Sequence, residues 1–194
     1  MQLRSPKVAQ ERGVVTVFQE VLVAETRTVL ENVWLGADGT WRAKVPAREK
    51  RRLAKAGLEE LLGKPVDLST IMEDLSLSDR QACCIVRALL RKPRILILDE
   101  ATSALDVATR DRLFTLIARL AADGVGVIFI THRMDELEEI GDRITVMRSG
   151  QTVANLKRAA WTPRELVRLM TGADELVTAG RPEARAAQGR HGAP

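Results

Sequence analysis

Asp99 and Glu100 stand side by side at the end of the apolar run Ile95-Leu96-Ile97-Leu98, and the polar turn Ala101 to Asp106 follows them. A run of this kind is how a buried parallel strand carries acidic groups to the carboxyl edge of an open α/β sheet, where ligands bind. By itself the pair fits an acidic strand end or a metal site of an α/β enzyme. Gln19 closes the β-branched run Val14 to Phe18 in the same way, and His132 closes Val125 to Ile130. Taken singly, His132 reads as a structural histidine and Gln19 as a surface loop residue. Leu75-Ser76-Leu77-Ser78-Asp79-Arg80-Gln81 opens a helix running to about Arg91, with Ser78 or Asp79 as N-cap. Helix N-termini offer free backbone N–H groups and a positive dipole end, which suits them to phosphate, although most serine-capped helices bind nothing.

Gly57 to Lys64 invites a search for a phosphate-cradling loop. The Gly-x-x-x-x-Gly-Lys-Ser/Thr pattern needs four residues between its glycines, whereas five intervene here and Pro65 follows the lysine. The stretch reads instead as a helix end at Gly63 and a turn at Pro65.

The elements that must position these residues follow from apolar spacing. Thr28 to Leu35 repeats Val29, Leu30, Val33 and Trp34 at helical intervals, and Ala37 to Thr40 reads as a loop. A helix spans about Ala47 to Leu62, so the middle section looks like a helical insertion. Val107 to Ala122 is amphipathic through Leu113, Leu116, Ile117 and Leu120 and ends near Gly124. Met134 to Ile140 is helical, Arg143 to Met147 is a strand, and Ser149-Gly150 turns into Gln151 to Ala154 as a hairpin. Alternating strands and helices imply an α/β fold with a right-handed, largely parallel sheet flanked by helices. Thr162-Pro163-Arg164-Glu165 opens a last helix with proline in its first turn. Beyond about Gly180 the composition predicts a disordered tail.

With 194 residues, 45% hydrophobic and 29% charged, the chain suits one well-buried domain. No stretch approaches the roughly 20 apolar residues that span a bilayer, and the start lacks a signal-peptide layout, so a soluble, cytoplasmic chain is expected. The net charge of +4 is dispersed apart from Arg48 to Lys55, and aromatics are only 3%, which argues against nucleic acid as a partner. Cys83 and Cys84 are adjacent in a helical pattern, too close for an ordinary disulfide, and read as reduced packing residues.

In order along the chain, Gln19, Leu75 to Gln81, Asp99-Glu100, Ser103 to Asp106 and His132 closely resemble the nucleotide-binding subunit of ABC transporters. The resemblance covers roughly Val14 to Gly172. Leu30 to Gly36, Thr131 to Leu137 and Asp142 to Gln151 look like the fused ATPases of bacterial ribose and related sugar importers. It implies a P-loop NTPase-like fold, with a partial nucleotide-binding domain at 1–180, a helical subdomain at about 28–92 and a disordered tail at 181–194. ATP and Mg²⁺ are the implied cofactors, with Asp99 and Gln19 on the metal and Glu100, His132 and Gln19 as the catalytic residues: Glu100 on the attacking water, His132 on the γ-phosphate, and Gln19 sensing metal or water and linking the site to the membrane partner. Across a head-to-tail pair of cassettes, Ser76, Leu77, Ser78, Asp79 and Gln81 would meet the partner's nucleotide, and Ser103, Ala104, Leu105 and Asp106 would line the seam.

The implied partners are a second cassette, transmembrane permease subunits and, indirectly, a sugar-binding protein, with the chain peripheral on the inner face of the plasma membrane. The same resemblance locates the phosphate-cradling loop and its strand upstream of Gln19. No such motif occurs in this sequence, so an N-terminally truncated cassette, weak in binding ATP by itself, is expected. Leu77-Ser78-Asp79 also stands where the family usually has glycine. Two other readings remain open: a non-catalytic fragment that pairs with an intact ATPase, and an ABC-type ATPase acting outside transport.

Overall fold

The computed structural model describes residues 5–36, 45–158 and 160–172. The loop expected at Ala37 to Thr40 and the tail expected at 181–194 lie outside the described residues. The chain divides into two compact units, one ending at Arg133 and the other beginning at Met134.

The first unit is built on three parallel strands in the order β1 (Val14–Val17), β2 (Ile95–Asp99) and β3 (Gly126–Ile130). Register is pinned at the amino ends, where the Gly13 carbonyl accepts from the Arg94 and Ile95 N–H groups at 2.8 and 3.1 Å. Gly13 holds φ at +82°, a conformation that costs other residues strain. The result sets Val17 beside Leu98, and Leu98 beside Phe129. The strands therefore finish level, and Gln19, Glu100 and His132 all emerge from one edge.

Alternation along the strands separates two faces. Val15, Val17, Leu96 and Leu98 are buried, and helices cover that side. α4 (Leu77–Leu89) packs on β1 and α5 (Val107–Ala122) packs on β3. Ile85, Val86, Leu113, Phe114, Leu116 and Ile117 supply the helical half of the core. α2 (Val29–Trp34) and α3 (Ala47–Leu62) complete a helical layer with α4, and α3 also packs on α5. A Cβ at Gly57 would come within 2.9 Å of Val86 Cγ1, so this glycine lets α3 and α4 approach closely. Cys83 and Cys84 are buried thiols of α4.

Two features differ from the sequence-based expectation. α1 (Pro6–Glu11) precedes β1, capped by Ser5 and carrying proline in its first turn, and its residues show no apolar periodicity. α4 is capped by Ser76 rather than by Ser78 or Asp79. Ser76 has extended backbone and accepts the Asp79 N–H at 3.1 Å, so Ser78 and Asp79 already belong to the first helical turn. Among the described residues the parallel sheet comprises β1 to β3, and the hairpin expected around Ser149-Gly150 is present as a separate two-stranded pair.

The second unit contains α6 (Met134–Ile140), β4 (Arg143–Arg148), β5 (Gln151–Lys157) and α7 (Pro163–Thr171). Ser149 and Gly150 both take positive φ, 49° and 77°, in a two-residue turn that forces β4 and β5 antiparallel. Ile144, Val146 and Leu166 form its buried center, flanked by Met134, Leu137, Leu156 and Trp161. Among the described residues, no helix is long and apolar enough to cross a membrane.

Candidate functional site

The three strand ends deliver side chains that meet. Gln19 Nε2 donates to Glu100 Oε2 at 3.0 Å, and His132 Nδ1 lies 3.3 Å from Glu100 Oε1. Each carboxylate oxygen of Glu100 thus has a neighbor from a different strand. His132 is 67% exposed and Glu100 28%, which leaves the trio open to solvent on one side.

Local backbone explains how Glu100 is aimed. β2 stops at Asp99, and Glu100 turns the chain with φ +45°, a left-handed conformation that non-glycine residues adopt at some cost in strain. That turn is held by the Glu100 N–H donating to the Ile130 carbonyl at 3.0 Å, which binds the end of β2 to the end of β3. Asp99, half-buried and opposite Ile130 in register, remains in the strand. Adjacent carboxylates are consequently placed in different backbone states, one in the sheet and one beyond it.

Behind the trio, Gln81 is fully buried in α4 and donates through Nε2 to the Ala101 carbonyl at 3.2 Å and the Phe18 carbonyl at 3.5 Å. Its side chain ties the exits of β1 and β2 to α4 and is not presented outward, contrary to the expectation that it meets a nucleotide. The segment after Gln19 is fastened as well. Arg87 Nη1 donates to the Leu22 carbonyl at 2.8 Å. The buried Asn32 exchanges hydrogen bonds with the backbone N–H and carbonyl of Ala24.

A second polar cluster lies at the first turn of α4. Ser76 and Leu77 are exposed, Leu77 at 59%. Ser78 Oγ donates to Asp106 Oδ2 at 2.8 Å and accepts from the Asp106 N–H at 3.2 Å. Asp106 also caps α5, accepting from the Thr109 N–H at 2.8 Å. That N–H, with the Ser78 hydroxyl next in effect, holds the Asp106 carboxyl below the usual carboxylate range. Asp79 accepts from Lys64 Nζ at 2.9 Å. Arg80 braces the preceding turn through the Glu73 and Leu75 carbonyls. Ser103, Ala104 and Leu105 run between Glu100 and Asp106 in tight turns, with the Ser103 N–H donating to the Glu100 carbonyl at 3.1 Å.

The structure thus brings Gln19, Glu100 and His132 together and joins Ser78 to Asp106. Ser76 and Leu77 make no hydrogen bond to the trio. Lys64, Arg80 and the bracing role of Gln81 were not found from sequence. Gly63 ends α3 as its sequence implies, and the lysine that follows it serves α4 through Asp79. Among the described residues, no cluster of three or more His, Cys, Asp or Glu side chains has metal-ligand geometry. The oxygen donors at the strand ends, the Asp99 carboxylate and the Gln19 amide oxygen, suit a hard cation that takes its other ligands from phosphate and water.

A family model described as ABC transporter matches residues 3–103. The ribose import ATP-binding protein RbsA 1 of Mesorhizobium japonicum is 37% identical over 168 residues, which cover 87% of this chain and 33% of that protein. RbsA of Corynebacterium glutamicum is 41% identical over 170 residues, covering 88% of this chain and 32% of that protein. The chain therefore spans about a third of the length of these curated relatives. A dimeric ATP-binding cassette in a post-hydrolysis state, bound to ADP and phosphate, superposes with a TM-score of 0.72 at 26% identity. That match covers 82% of this chain and 69% of the other.

Proposed function

Because this chain belongs to the ABC transporter family, we propose that it is part of an ATP-hydrolysing cassette that drives import of a sugar. The observation that carries this reading is the convergence of Gln19 and His132 on the two oxygens of Glu100, at 3.0 and 3.3 Å. Glu100 orients water against the γ-phosphorus and takes its proton as the new P–O bond forms and the bond to ADP breaks. Gln19 holds the carboxylate through Nε2 and offers its amide oxygen to the metal. In its imidazolium form His132 carries a donor on each ring nitrogen, Nδ1 for the other carboxylate oxygen and Nε2 for a phosphate oxygen. Asp99 would share the Mg²⁺ with Gln19, the cation supplying charge neutralisation to the phosphates.

The first turn of α4, with Ser76 exposed and Leu77 and Ser78 beside it, serves a nucleotide held by a second cassette. Ser103, Ala104, Leu105 and Asp106 line the seam between the two. We assign residues 1–180 to this nucleotide-binding domain and about 28–92 to its helical subdomain. Permease subunits hold the assembly at the inner membrane face, and a sugar-binding protein feeds it. Support for sugar as cargo comes from the ribose import relatives.

The 194 residues contain no Gly-x-x-x-x-Gly-Lys-Ser/Thr sequence. The cradle for the β- and γ-phosphates then lies outside them, and the chain is a partial cassette. The same absence favors a second reading, a non-catalytic partner that supplies only the α4 turn to an intact cassette. Calorimetric titration of the purified chain with Mg-ATP tests the partial-cassette reading. No saturable heat is expected in the micromolar range, and a micromolar Kd would contradict it.

A further inference from the structure

We infer that Lys64 is a positioning residue that draws the Asp79 carboxylate away from the first turn of α4 and so keeps that turn receptive to phosphate. The inference rests on the reading of this turn as the surface that meets a partner cassette's nucleotide. The first N–H groups of a helix have no intrahelical acceptor and carry the positive end of its dipole. An acid at the third helical position naturally competes for them, and a carboxylate left there repels an anionic ligand. Asp79 occupies that position in α4.

Its carboxylate is engaged elsewhere. Lys64 Nζ donates to Asp79 Oδ2 at 2.9 Å, and the Asp79 side chain is only 13% exposed. Asp79 and Lys64 both line a cavity of about 220 Å³ together with Leu62, Pro65 and Cys83. Lys64 is delivered there by its neighbors. Gly63 ends α3 in the left-handed conformation at φ +68°, and Pro65 stiffens the chain immediately after. Beside it, the Ser78 hydroxyl is bound to Asp106 of the same chain. Ser78 and Asp79 are therefore both held by partners within the fold, and the Gly63-Lys64 pair, unsuited to cradle phosphate itself, acts on the turn through Asp79.

The test mixes the chain with a complete sugar-importer cassette loaded with Mg-ATP and blocked in hydrolysis, and measures association by sedimentation. Ser76→Ala reports whether the turn meets the nucleotide at all. Lys64→Met is expected to weaken nucleotide-dependent association about three- to tenfold, since the ion pair is partly exposed. Lys64→Arg should retain it, and Lys64→Met combined with Asp79→Asn should restore it, because the unpaired charge is gone. A chain that merely unfolds on loss of Lys64 would not be rescued by Asp79→Asn. If Ser76→Ala weakens association while Lys64→Met matches the wild type, or the double variant stays weak, the inference is overturned and the reading of the turn survives. If neither Ser76→Ala nor omission of nucleotide changes association, or the wild-type chain does not associate, the reading falls and the inference with it.

Discussion

The strand-end trio and the first turn of α4 are assembled in opposite ways. Gln19, Glu100 and His132 come from three strands, with Gln19 81 residues from Glu100 and His132 32 residues from it. Only sheet register brings them within hydrogen-bond reach. The α4 turn is contiguous in sequence, and Ser76 creates it locally by capping the helix. Its longer-range bonds, Lys64 to Asp79 and Ser78 to Asp106, set where side chains go rather than whether the turn exists. The trio is therefore vulnerable to loss of core packing under the strands, and the turn to loss of individual polar partners.

Leu98→Ala separates the two most strongly. Leu98 is fully buried one residue before Asp99, and its truncation should cost about 2–5 kcal/mol in chemical denaturation. Hydrogen exchange is expected to rise at the Glu100 N–H, which bonds the end of β3, while the Asp79 and Arg80 amides, bonded to Ser76, keep their protection. Equal loss in both regions would erase the distinction.

Asp106→Ala makes the converse cut. It removes the cap of α5 and the partner of Ser78, at an expected cost of about 1 kcal/mol. Its native bonds lower the carboxyl's pKa, so its contribution is present above the unfolded carboxylate pKa and is lost as pH falls through the lower folded value. The stability gap between wild type and Asp106→Ala should therefore be steady near neutrality and close on acidification. A gap independent of pH would show that the cap bonds do not set it.

The smallest effect is expected between the regions, at the cysteines of α4. Burial pushes the Cys83 thiol up to about 12, and Cys84 is shifted upward for the same reason. A colorimetric thiol reagent at pH 8 should leave both unmodified in the folded chain and titrate both in denaturant. Rapid labelling without denaturant would place them at the surface.

The uneven legibility of the sequence has the same physical origin. Apolar runs ending at Gln19, Asp99 and Ile130 exposed the strands, because parallel strands buried by helices read as continuous hydrophobic stretches. The order of polar residues after those strands then marked the trio. The cap of α4 was misplaced because Ser76, Ser78 and Asp79 all suit a cap and only helical register chooses among them. Lys64 lies 15 residues before Asp79, and Ser78 lies 28 before Asp106. No periodicity reports such pairs, which depend on how α3 and α5 pack around α4. Gln81 failed for a related reason: the residue opens no gap in the pattern, yet packing turns it inward. α1 escaped notice because Pro6–Glu11 carries no apolar stripe.

Glu100, held by Gln19 and His132, is proposed to act on the attacking water once a phosphate cradle completes the site. The most direct test is Glu100→Gln in the assembled transporter, with ATP occupancy and turnover measured on the same sample. Hydrolysis is expected to fall by about 10²–10⁴-fold, the usual contribution of a general base, while ATP remains bound. Turnover within about threefold of wild type at full occupancy would contradict the account.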